Sequence, residues 1–256
     1  MSDHSAEQAA VPCLELRGLT KNFGGLQAVG DLSLSVYPGE RKGILGPNGA
    51  GKTTLFNLIT GVFPPSGGQV LLFGRDVTRW PVHRRTHLGM ARTFQVTNLF
   101  PKLTVLENVL LAVQGLRSMK FVMWRPLAGY GAVQDKAHDL LEQAGFWERR
   151  NTEIRHLSHG EQRQVEILLA LASEPRLLLL DEPAAGLSSG ESAEMATFLR
   201  GLNPSLAILM IEHDLDVVFP VVDTIAVLHY GELLEHGTTD EIRHSERVQE
   251  IYLGMR

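Results

Sequence analysis

The chain has a single cysteine, Cys13, so it cannot form an internal disulfide bond. At 256 residues it can bury roughly three-quarters of the surface that its unfolded form exposes, and a hydrophobic core can stabilise it without cross-links. A lone thiol also suits the reducing cytoplasm, where disulfides are rare. We therefore expect a cytoplasmic protein whose stability rests on packing.

Long apolar runs and basic clusters are missing too. No stretch approaches the roughly 18 uninterrupted apolar residues that a membrane-spanning helix needs. Residues 1–8 lack the basic start and the apolar stretch of a secretion signal. The formal net charge is −5 and no block of lysine and arginine occurs, so nucleic acid is not expected as a partner. We expect a chain that is soluble by itself.

Glycine, in contrast, is concentrated in one segment with a chemical meaning. Residues 46–54, Gly-Pro-Asn-Gly-Ala-Gly-Lys-Thr-Thr, match the pattern G-x-x-x-x-G-K-[ST] and follow the apolar run at 43–45. Glycines in such a loop let successive N–H groups turn toward phosphate oxygens where a Cβ atom would block them. Lys52 can reach the terminal phosphates, and the Thr53 hydroxyl can ligate Mg²⁺. A helix predicted from Lys52 to Thr60 adds its positive end. The alternative is a purely structural glycine-rich turn, but the strand before and the helix after it favour binding of a nucleoside triphosphate.

An acidic pair later in the chain is typical of the same chemistry. The run Leu177–Leu180 predicts a buried strand, and Asp181 and Glu182 follow it at the carboxyl edge, where α/β proteins bind ligands. Asp181 would hold Mg²⁺ through water, and Glu182 could polarise an attacking water as a general base. The alternative is a strand that simply ends on acidic residues. The upstream phosphate loop favours the functional interpretation.

Between these motifs lies Leu-Ser-His-Gly-Glu-Gln at residues 157–162. Ser158 followed by Glu161 is a capping box and predicts a helix start. Gly160 is unexpected there, since glycine in a helix costs roughly 1 kcal/mol relative to alanine. A glycine beside the exposed N–H groups of a positive helix end permits close approach of a phosphate. The segment therefore predicts both a helix cap and a phosphate contact.

The remaining pattern predicts an α/β core interrupted by helices. We expect a flexible tail at 1–12, a single domain at 13–256, an antiparallel ribbon near the N-terminus and a helical insert at about 96–173. Arg84 and Arg85 are expected to be solvated helix charges. The predicted strands are 14–19, 32–36, 69–73, 90–94, 177–180, 206–211 and 224–228, and the further predicted helices are 81–88, opened by Pro81, 105–113, capped by Thr104, and 133–143.

On these motifs the chain resembles the ATP-binding subunits of ABC transporters, from about Leu14 to Gly254. The resemblance implies the ABC ATPase fold, an α/β P-loop NTPase core with an N-terminal antiparallel β subdomain and an inserted α-helical subdomain. It implies ATP hydrolysis coupled to solute transport, with ATP and Mg²⁺ as ligands. The residues that it assigns to ATP are Phe23, Val29, Asn48, Gly49, Ala50, Gly51, Lys52, Thr53, Thr54, Ser158, Gly160 and Glu161, and those that it assigns to Mg²⁺ are Thr53, Gln95 and Asp181.

Several assignments rest on the family pattern more than on local chemistry. Phe23 matches the aromatic residue that stacks on adenine, with Val29 nearby, but it could be an ordinary core aromatic. Gln95 matches the glutamine that senses Mg²⁺ and the γ-phosphate, but it could be a polar strand end. His213 matches the switch histidine that contacts the γ-phosphate, but it could cap the helix that follows. Together with Glu182, Gln95 and His213 form the implied catalytic set.

Two positions depart from the family pattern. Glu161 stands where the wider family usually has glutamine, and it adds negative charge near a triphosphate, although Gln162 could supply the amide instead. Ser188 stands where many relatives have aspartate. It can still form a hydrogen bond across a dimer. Neither change removes the residues expected for ATP hydrolysis.

The resemblance also implies an assembly. The phosphate loop of one subunit faces Ser158 and Gly160 of a second ATP-binding subunit, identical or homologous, across the ATP. Two transmembrane permease subunits and, indirectly, an extracytoplasmic solute-binding protein complete such systems, which places the chain at the cytoplasmic face of the membrane. Residues 96–106 are the expected docking surface. The apolar segment Met119–Trp124 either faces a partner or packs within the insert.

Segments 55–61, 91–95, 183–186, 211–214 and 248–254 are similar to the branched-chain amino-acid importer group. Urea-type importers share much of this pattern, and other chains select the solute. Two classes outside import remain open. A soluble ABC protein of translation or repair would usually carry two cassettes, a basic surface or a coiled-coil insert, and none is visible. A scaffold that binds ATP without hydrolysis is disfavoured by the presence of Glu182.

Overall fold

The computed structural model describes residues 11–93, 99–115 and 131–253, which form two sheets surrounded by helices. The strands are β1 Leu14–Phe23, β2 Leu26–Val36, β3 Arg41–Leu45, β4 Gly67–Leu72, β5 Arg75–Asp76, β6 Met90–Arg92, β7 Leu177–Asp181, β8 Ala207–Ile211, β9 Thr224–His229 and β10 Glu232–Thr238. The helices are α1 Lys52–Thr60, α2 Val82–Thr86, α3 Val105–Gly115, α4 Gly131–Gln143, α5 His159–Leu171, α6 Ser189–Gly201, α7 Leu215–Val221, α8 Thr239–His244 and α9 Glu246–Leu253.

The smaller sheet has the strand order β2-β1-β4-β5 and is antiparallel throughout. In β1, Leu14 and Leu16 are buried while Glu15 between them is partly exposed, because successive side chains of a strand point to opposite faces. The expected antiparallel ribbon near the N-terminus is therefore confirmed, with both of its strands longer than predicted.

The larger sheet has the order β10-β9-β3-β8-β7-β6, and its strands run parallel except for β10. Every residue of β7 and β8 is buried. Leu177 and Leu179 join the core on one face of the sheet, and Leu178 and Leu180 join the core on the other. This two-sided burial explains why both strands are continuous apolar runs, as predicted.

Between β6 and β7, the described residues contribute α3, α4 and α5, which pack around a hydrophobic cluster of their own. Val109 of α3, Leu141 of α4 and Val165 of α5 are fully buried in this cluster. Thr104 caps α3 as predicted, because its hydroxyl accepts from the Glu107 N–H at 3.2 Å while its own N–H donates to the Glu107 carboxylate at 2.7 Å. The helical cluster thus has its own packing.

The expectation for Arg85 is wrong. Its side chain is buried, and its guanidinium donates to the carbonyls of Leu58 at 2.8 Å and Ile59 at 2.7 Å, at the C-terminal end of α1. Two carbonyls of the loop before α2 accept its remaining hydrogen bonds. Burial lowers the pKa of Arg85 to about 10. Arg84, in contrast, is exposed as expected.

Smaller differences concern the ends of elements. Pro81 is the residue before α2 and not its first residue, and α2 ends at Thr86.

The strand β10 was not predicted, because none of its residues is buried and its sequence therefore lacks an apolar alternation. Within the described ranges, no helix combines the length and the apolar character required to cross a bilayer.

Candidate nucleotide-binding site

The predicted motifs meet at the carboxyl edge of the parallel strands. In the sheet register, Ile44 of β3 pairs with Ile211 of β8, and Ile211 pairs with Asp181 of β7. The phosphate loop, defined as residues 46–54, follows β3, while Glu182 follows β7 and His213 lies just beyond β8. Three neighbouring strands thus deliver three sets of polar groups to one edge, the usual ligand position in α/β proteins.

The phosphate loop is built on left-handed backbone conformations. Gly49 has φ 81° and Gly51 has φ 97°, values that residues with a Cβ atom adopt only at a cost. A Cβ atom on Gly51 would lie 2.4 Å from the carbonyl oxygen of Ala28, whereas one on Gly49 would meet nothing within 4 Å. Packing therefore dictates glycine at position 51, and at position 49 backbone conformation favours it.

The first turn of α1 carries no side-chain cap. Its N-cap residue is Gly51, and no acidic residue lies in the first turn. Helices α5, α6 and α8, in contrast, each begin with a complete capping box. Since the first N–H groups of a helix have no partner within it, those of α1 are available to an anion, and the helix dipole favours negative charge there.

Lys52 is buried beneath the loop. Its ammonium donates to the carbonyls of Gly46 at 2.5 Å and Pro47 at 3.0 Å. Burial lowers the pKa of Lys52, while the carboxylates of Glu182 and Asp181 act in the opposite direction. The lysine therefore lies within electrostatic reach of the acidic pair. Around it, Ala50 is buried, Thr54 is half-buried, and Asn48, Gly49 and Thr53 are exposed.

Asp181 has one engaged and one open oxygen. Its Oδ2 accepts from Arg92 Nη2 at 2.7 Å, and both side chains are almost fully buried. Its Oδ1 is buried and has no hydrogen-bond partner in the described part of the chain. A buried carboxylate oxygen without a partner is costly unless a cation or water completes it. Asp181 thus fits a Mg²⁺ ion bound directly or through water.

Glu182 follows in an unusual backbone conformation, with φ 48°. A non-glycine residue in this region stores on the order of 1 kcal/mol of strain, and such strain concentrates at functional sites. Its N–H donates to the carbonyl of Ile211 at 2.9 Å, which ties the end of β7 to the end of β8. The backbone position of Glu182 is therefore fixed by the sheet edge.

Glu212 links the same two strand ends from inside. It is fully buried, and it accepts the N–H of Ala184 at 3.1 Å and the N–H of His213 at 3.1 Å. His213 Nδ1 lies 3.3 Å from Glu212 Oε1. Burial raises the pKa of Glu212, and these N–H groups oppose the change. Glu212 fixes the loops that carry Glu182 and His213.

His213 is exposed and does not cap α7. The cap is Asp214, whose side chain accepts the N–H of Asp216 at 2.9 Å. The alternative interpretation of His213 as a helix cap is therefore wrong. With 61% of its side chain exposed, the imidazole is available to a ligand.

Phe23 lies at the end of β1 and 47% of it is exposed, so it is not a core aromatic. Its ring meets Phe63 edge to face at a centroid distance of 5.5 Å, and the Lys21 ammonium lies 5.1 Å from its centroid. Val29 is fully buried in the core. Phe23 thus presents an aromatic surface to solvent, whereas Val29 supports the sheet from within.

The segment 157–162 begins α5 as predicted. Ser158 is the N-cap, its hydroxyl accepts from the Glu161 N–H at 3.2 Å, and its N–H donates to the Glu161 carboxylate at 2.8 Å. Glu161 also forms an ion pair with Arg149, which balances the added negative charge. The Gln162 amide donates to the Leu157 carbonyl at 3.1 Å. The departure at Glu161 is thus satisfied locally.

Gly160 has a second partner outside its own helix. Its N–H donates to Glu191 of α6 at 3.1 Å. Ser188, the N-cap of α6, is exposed and donates its hydroxyl to the same carboxylate at 2.8 Å. Among the described residues, the polar contacts of 158–161 run to one another, to the rest of α5, to Arg149 and to α6, and none reaches the phosphate loop. The chain does not bring these two motifs together within itself.

Gln95, residues 96–98 of the expected docking surface, and Met119–Trp124 lie outside the described residues. Sequence reasoning missed Arg92, Glu212 and Glu191. Glu212 could have been found, since it follows an apolar strand as Asp181 and Glu182 do. Glu191 could have been found as the acid of a capping box with Ser188, but its contact with Gly160, like that of Arg92 with Asp181, joins residues distant in the sequence, and no local pattern indicates such pairings.

Comparison with known proteins agrees with this geometry. A family model described as ABC transporter matches residues 29–185. The chain is 38% identical over 250 residues to the high-affinity branched-chain amino acid transport ATP-binding protein LivG of Escherichia coli, covering 95% of this chain and 98% of the relative. It is 37% identical over 255 residues to the corresponding protein BraF of Pseudomonas aeruginosa, with the same coverage.

Solved structures show the same architecture. The ADP conformation of MJ1267, an ATP-binding cassette of an ABC transporter, superposes with a TM-score of 0.83 at 30% identity, over 95% of this chain and 99% of that one. The dimeric cassette MJ0796, bound to ADP and Pi, gives 0.70 at 26% identity, over 88% and 98% of the two chains. The similarity extends over nearly the full length of each relative.

Proposed function

The chain belongs to the ABC transporter family, and from that premise we propose that it binds and hydrolyses ATP to power an importer of branched-chain or related amino acids. The observation that carries the proposal is the meeting of the phosphate loop, Asp181, Glu182 and His213 at one sheet edge. The names of the curated relatives support the solute class.

Binding of ATP would use the open end of α1. The N–H groups of the phosphate loop and of the first turn of α1 would donate hydrogen bonds to the phosphate oxygens, and Lys52 would exchange its bonds to loop carbonyls for bonds to phosphate oxygens. The exposed ring of Phe23 would stack on the adenine, and Val29, buried in the neighbouring strand β2, would support the same sheet from the core. The binding set would therefore span both sheets.

Mg²⁺ would be held by Thr53, Gln95 and Asp181, the last of these through the oxygen that has no partner among the described residues. When bound, the ion neutralises charge on the β- and γ-phosphates. Arg92 orients Asp181 through the other oxygen. The donor set, a hydroxyl, an amide and a carboxylate, suits this hard cation.

In hydrolysis, Glu182 would accept a proton from the water that attacks the γ-phosphorus, and ADP would leave with the bridging oxygen. His213 and Gln95 would contact the γ-phosphate. Glu212 would fix the imidazole position through its contacts with His213. The buried strand ends would keep these groups from shifting as charge moves onto ADP.

The site would be completed by a second subunit, whose Ser158, Gly160 and Glu161 would lie across the γ-phosphate. The absence of described hydrogen bonds between the phosphate loop and residues 158–161 of the same chain supports this arrangement, as do dimeric relatives. A single helix end provides only about 0.3–2 kcal/mol toward an anion, so the second half makes closure depend on ATP.

In the transporter, residues 13–256 would act as one ATP-binding domain at the cytoplasmic face of the membrane. Its helical insert at about 96–173 would dock on two permease subunits through residues 96–106, and an extracytoplasmic solute-binding protein would deliver the solute. A relative from Clostridium perfringens, described as part of an ABC transporter complex, supports such an assembly.

The enzyme assignment is tested by Glu182→Gln in the purified protein. We expect Mg²⁺-dependent ATP turnover to fall by about 100-fold or more, because the general base is lost, while binding of a fluorescent ATP analogue persists. Glu194→Gln, an exposed carboxylate on α6, is the control and should leave turnover unchanged. Wild-type turnover in Glu182→Gln, or no turnover in the wild type, would contradict the assignment.

The transport assignment is tested in cells that lack the chain. They should lose uptake of radiolabelled leucine, isoleucine and valine, and the wild-type chain should restore it while Lys52→Ala does not. Uptake that persists without the chain would remove the proposed solute class.

A further inference from the structure

Glu191 serves the starts of two helices at once. One carboxylate oxygen accepts the Ser188 N–H at 3.1 Å and the Ser188 hydroxyl at 2.8 Å, which closes the capping box of α6. The other oxygen accepts the Gly160 N–H of α5 at 3.1 Å. A single side chain thus joins the N-terminal turns of α5 and α6.

The charge on Glu191 is stabilised by these bonds. The Ser188 N–H and then the Gly160 N–H lower the pKa of Glu191 to about 2, so the group is ionised at neutral pH. The positive ends of two helices face the same carboxylate. Helix α5 already has its own capping acid in Glu161, so it does not need Glu191 as a cap.

The approach of the two helices also depends on the absence of a side chain at position 160. A Cβ atom on Gly160 would lie 3.1 Å from Cβ and 3.3 Å from Cγ of Glu191, closer than most such contacts. Gly160 therefore has a packing role in addition to any role at phosphate. Glu191 can therefore lie against the start of α5 because position 160 has no side chain.

We propose that Glu191 is a positioning residue that holds the start of α5 and the loop at Ser188 together as one unit, the half-site presented to a second subunit. The inference rests on the proposed function, in which Ser158 and Gly160 face ATP bound by that subunit. A short loop, residues 183–187, joins Glu182 to Ser188, so this unit follows the catalytic glutamate directly in the chain.

The test measures ATP-dependent dimerisation of the full chain by analytical ultracentrifugation in the Glu182→Gln background, where ATP persists. Adding Glu191→Ala should raise the ATP concentration at the dimerisation midpoint by about tenfold, because the half-site is no longer held in place. Binding of a fluorescent ATP analogue to the dilute, monomeric chain should stay within about twofold, since the described contacts of Glu191 run to Gly160 and Ser188 and not to its own phosphate loop. Glu194→Ala, on the same helix, is the matched control and should leave both readouts unchanged.

Glu191→Gln provides a second variant that keeps one acceptor oxygen for Gly160, and it should raise the midpoint less than Glu191→Ala. If Glu191→Ala fails to fold, the ATP concentration at the dimerisation midpoint of Glu191→Gln is compared with that of the chain without Glu191 substitutions instead. An unchanged midpoint overturns the inference, and so does a lowered one, which would make the carboxylate a competitor of the γ-phosphate. If the chain without Glu191 substitutions stays monomeric with ATP, the proposed shared site fails, and the inference fails with it.

Discussion

At the residue scale, the phosphate loop depends on backbone shapes that its neighbours enforce. Gly51 has φ 97° and faces the carbonyl of Ala28, which leaves no volume for a side chain. Gly24 has φ 59° in the turn between β1 and β2, yet its surroundings are open. Substitution at Gly24 therefore costs only the strain of the left-handed conformation, whereas substitution at Gly51 adds a steric overlap with the Ala28 carbonyl.

We therefore expect Gly51→Ala to lower the free energy of unfolding by about 3 kcal/mol or more, since strain and overlap add. The control Gly24→Ala should lower it by about 1 kcal/mol, the cost of the backbone conformation alone. Urea denaturation followed by circular dichroism measures both. Equal losses at the two positions would show that the packing around Gly51 is not as described.

Local patterns predict a site residue only when its partners are near in sequence. Lys52 and Thr53 belong to one continuous loop, and Asp181 with Glu182 follows one strand, so both sets were visible in the sequence. Arg92 was not, because its contact with Asp181 depends on β6 lying beside β7. Strand order is a property of the folded chain that no short motif contains.

At the scale of elements, the short helix α2 stabilises the longer helix α1. The last carbonyls of a helix have no partner within it, and Arg85 supplies donors to two of them from a fully buried position. The sequence could not indicate this, since Arg84 and Arg85 are adjacent and alike. Only the docking of α2 against the end of α1 distinguishes them.

Replacement of Arg85 by Met should lower the free energy of unfolding by about 3 kcal/mol, because the buried carbonyls at the end of α1 lose their donors. Arg84→Met removes the same charge from an exposed position and should change stability by less than about 0.5 kcal/mol. Thermal unfolding of the two variants side by side is the measurement. A similar melting temperature for both would contradict the capping role of Arg85.

Helices and strands with strong periodicity or long apolar runs were predicted from the sequence, because their buried faces require apolar residues at regular positions. β7 and β8 are buried on both faces, α3 carries a cap and an apolar stripe, and each feature leaves a mark in the sequence. β10 has no buried residue and leaves none. Its position at the edge of the sheet is set by β9, from which it returns through the turn at Tyr230–Gly231.

At the scale of the whole molecule, the proposed function assigns the two halves of an ATP site to two separate parts of the chain. The phosphate loop leads into α1, whose first turn has no side-chain cap. The start of α5 has a capping box, and the N–H of its Gly160 donates to Glu191 of α6. The family, its α/β fold and the ATPase activity followed from motifs in the sequence and are confirmed by the comparisons. How the two halves meet is a property of an assembly, which lies beyond one chain.

The central claim is that each ATP site is shared by two subunits, and complementation of two inactive variants tests it most directly. Lys52→Ala disables the phosphate loop, whereas Ser158→Asp keeps a good helix cap but sets a negative charge against the γ-phosphate. Each variant alone should lack ATP turnover. Mixed in equal amounts, they should regain up to about a quarter of wild-type turnover, because about half of the dimers are mixed and each holds one intact site. A mixture that stays inactive, or a Ser158→Asp chain that turns over ATP normally, would contradict a shared site.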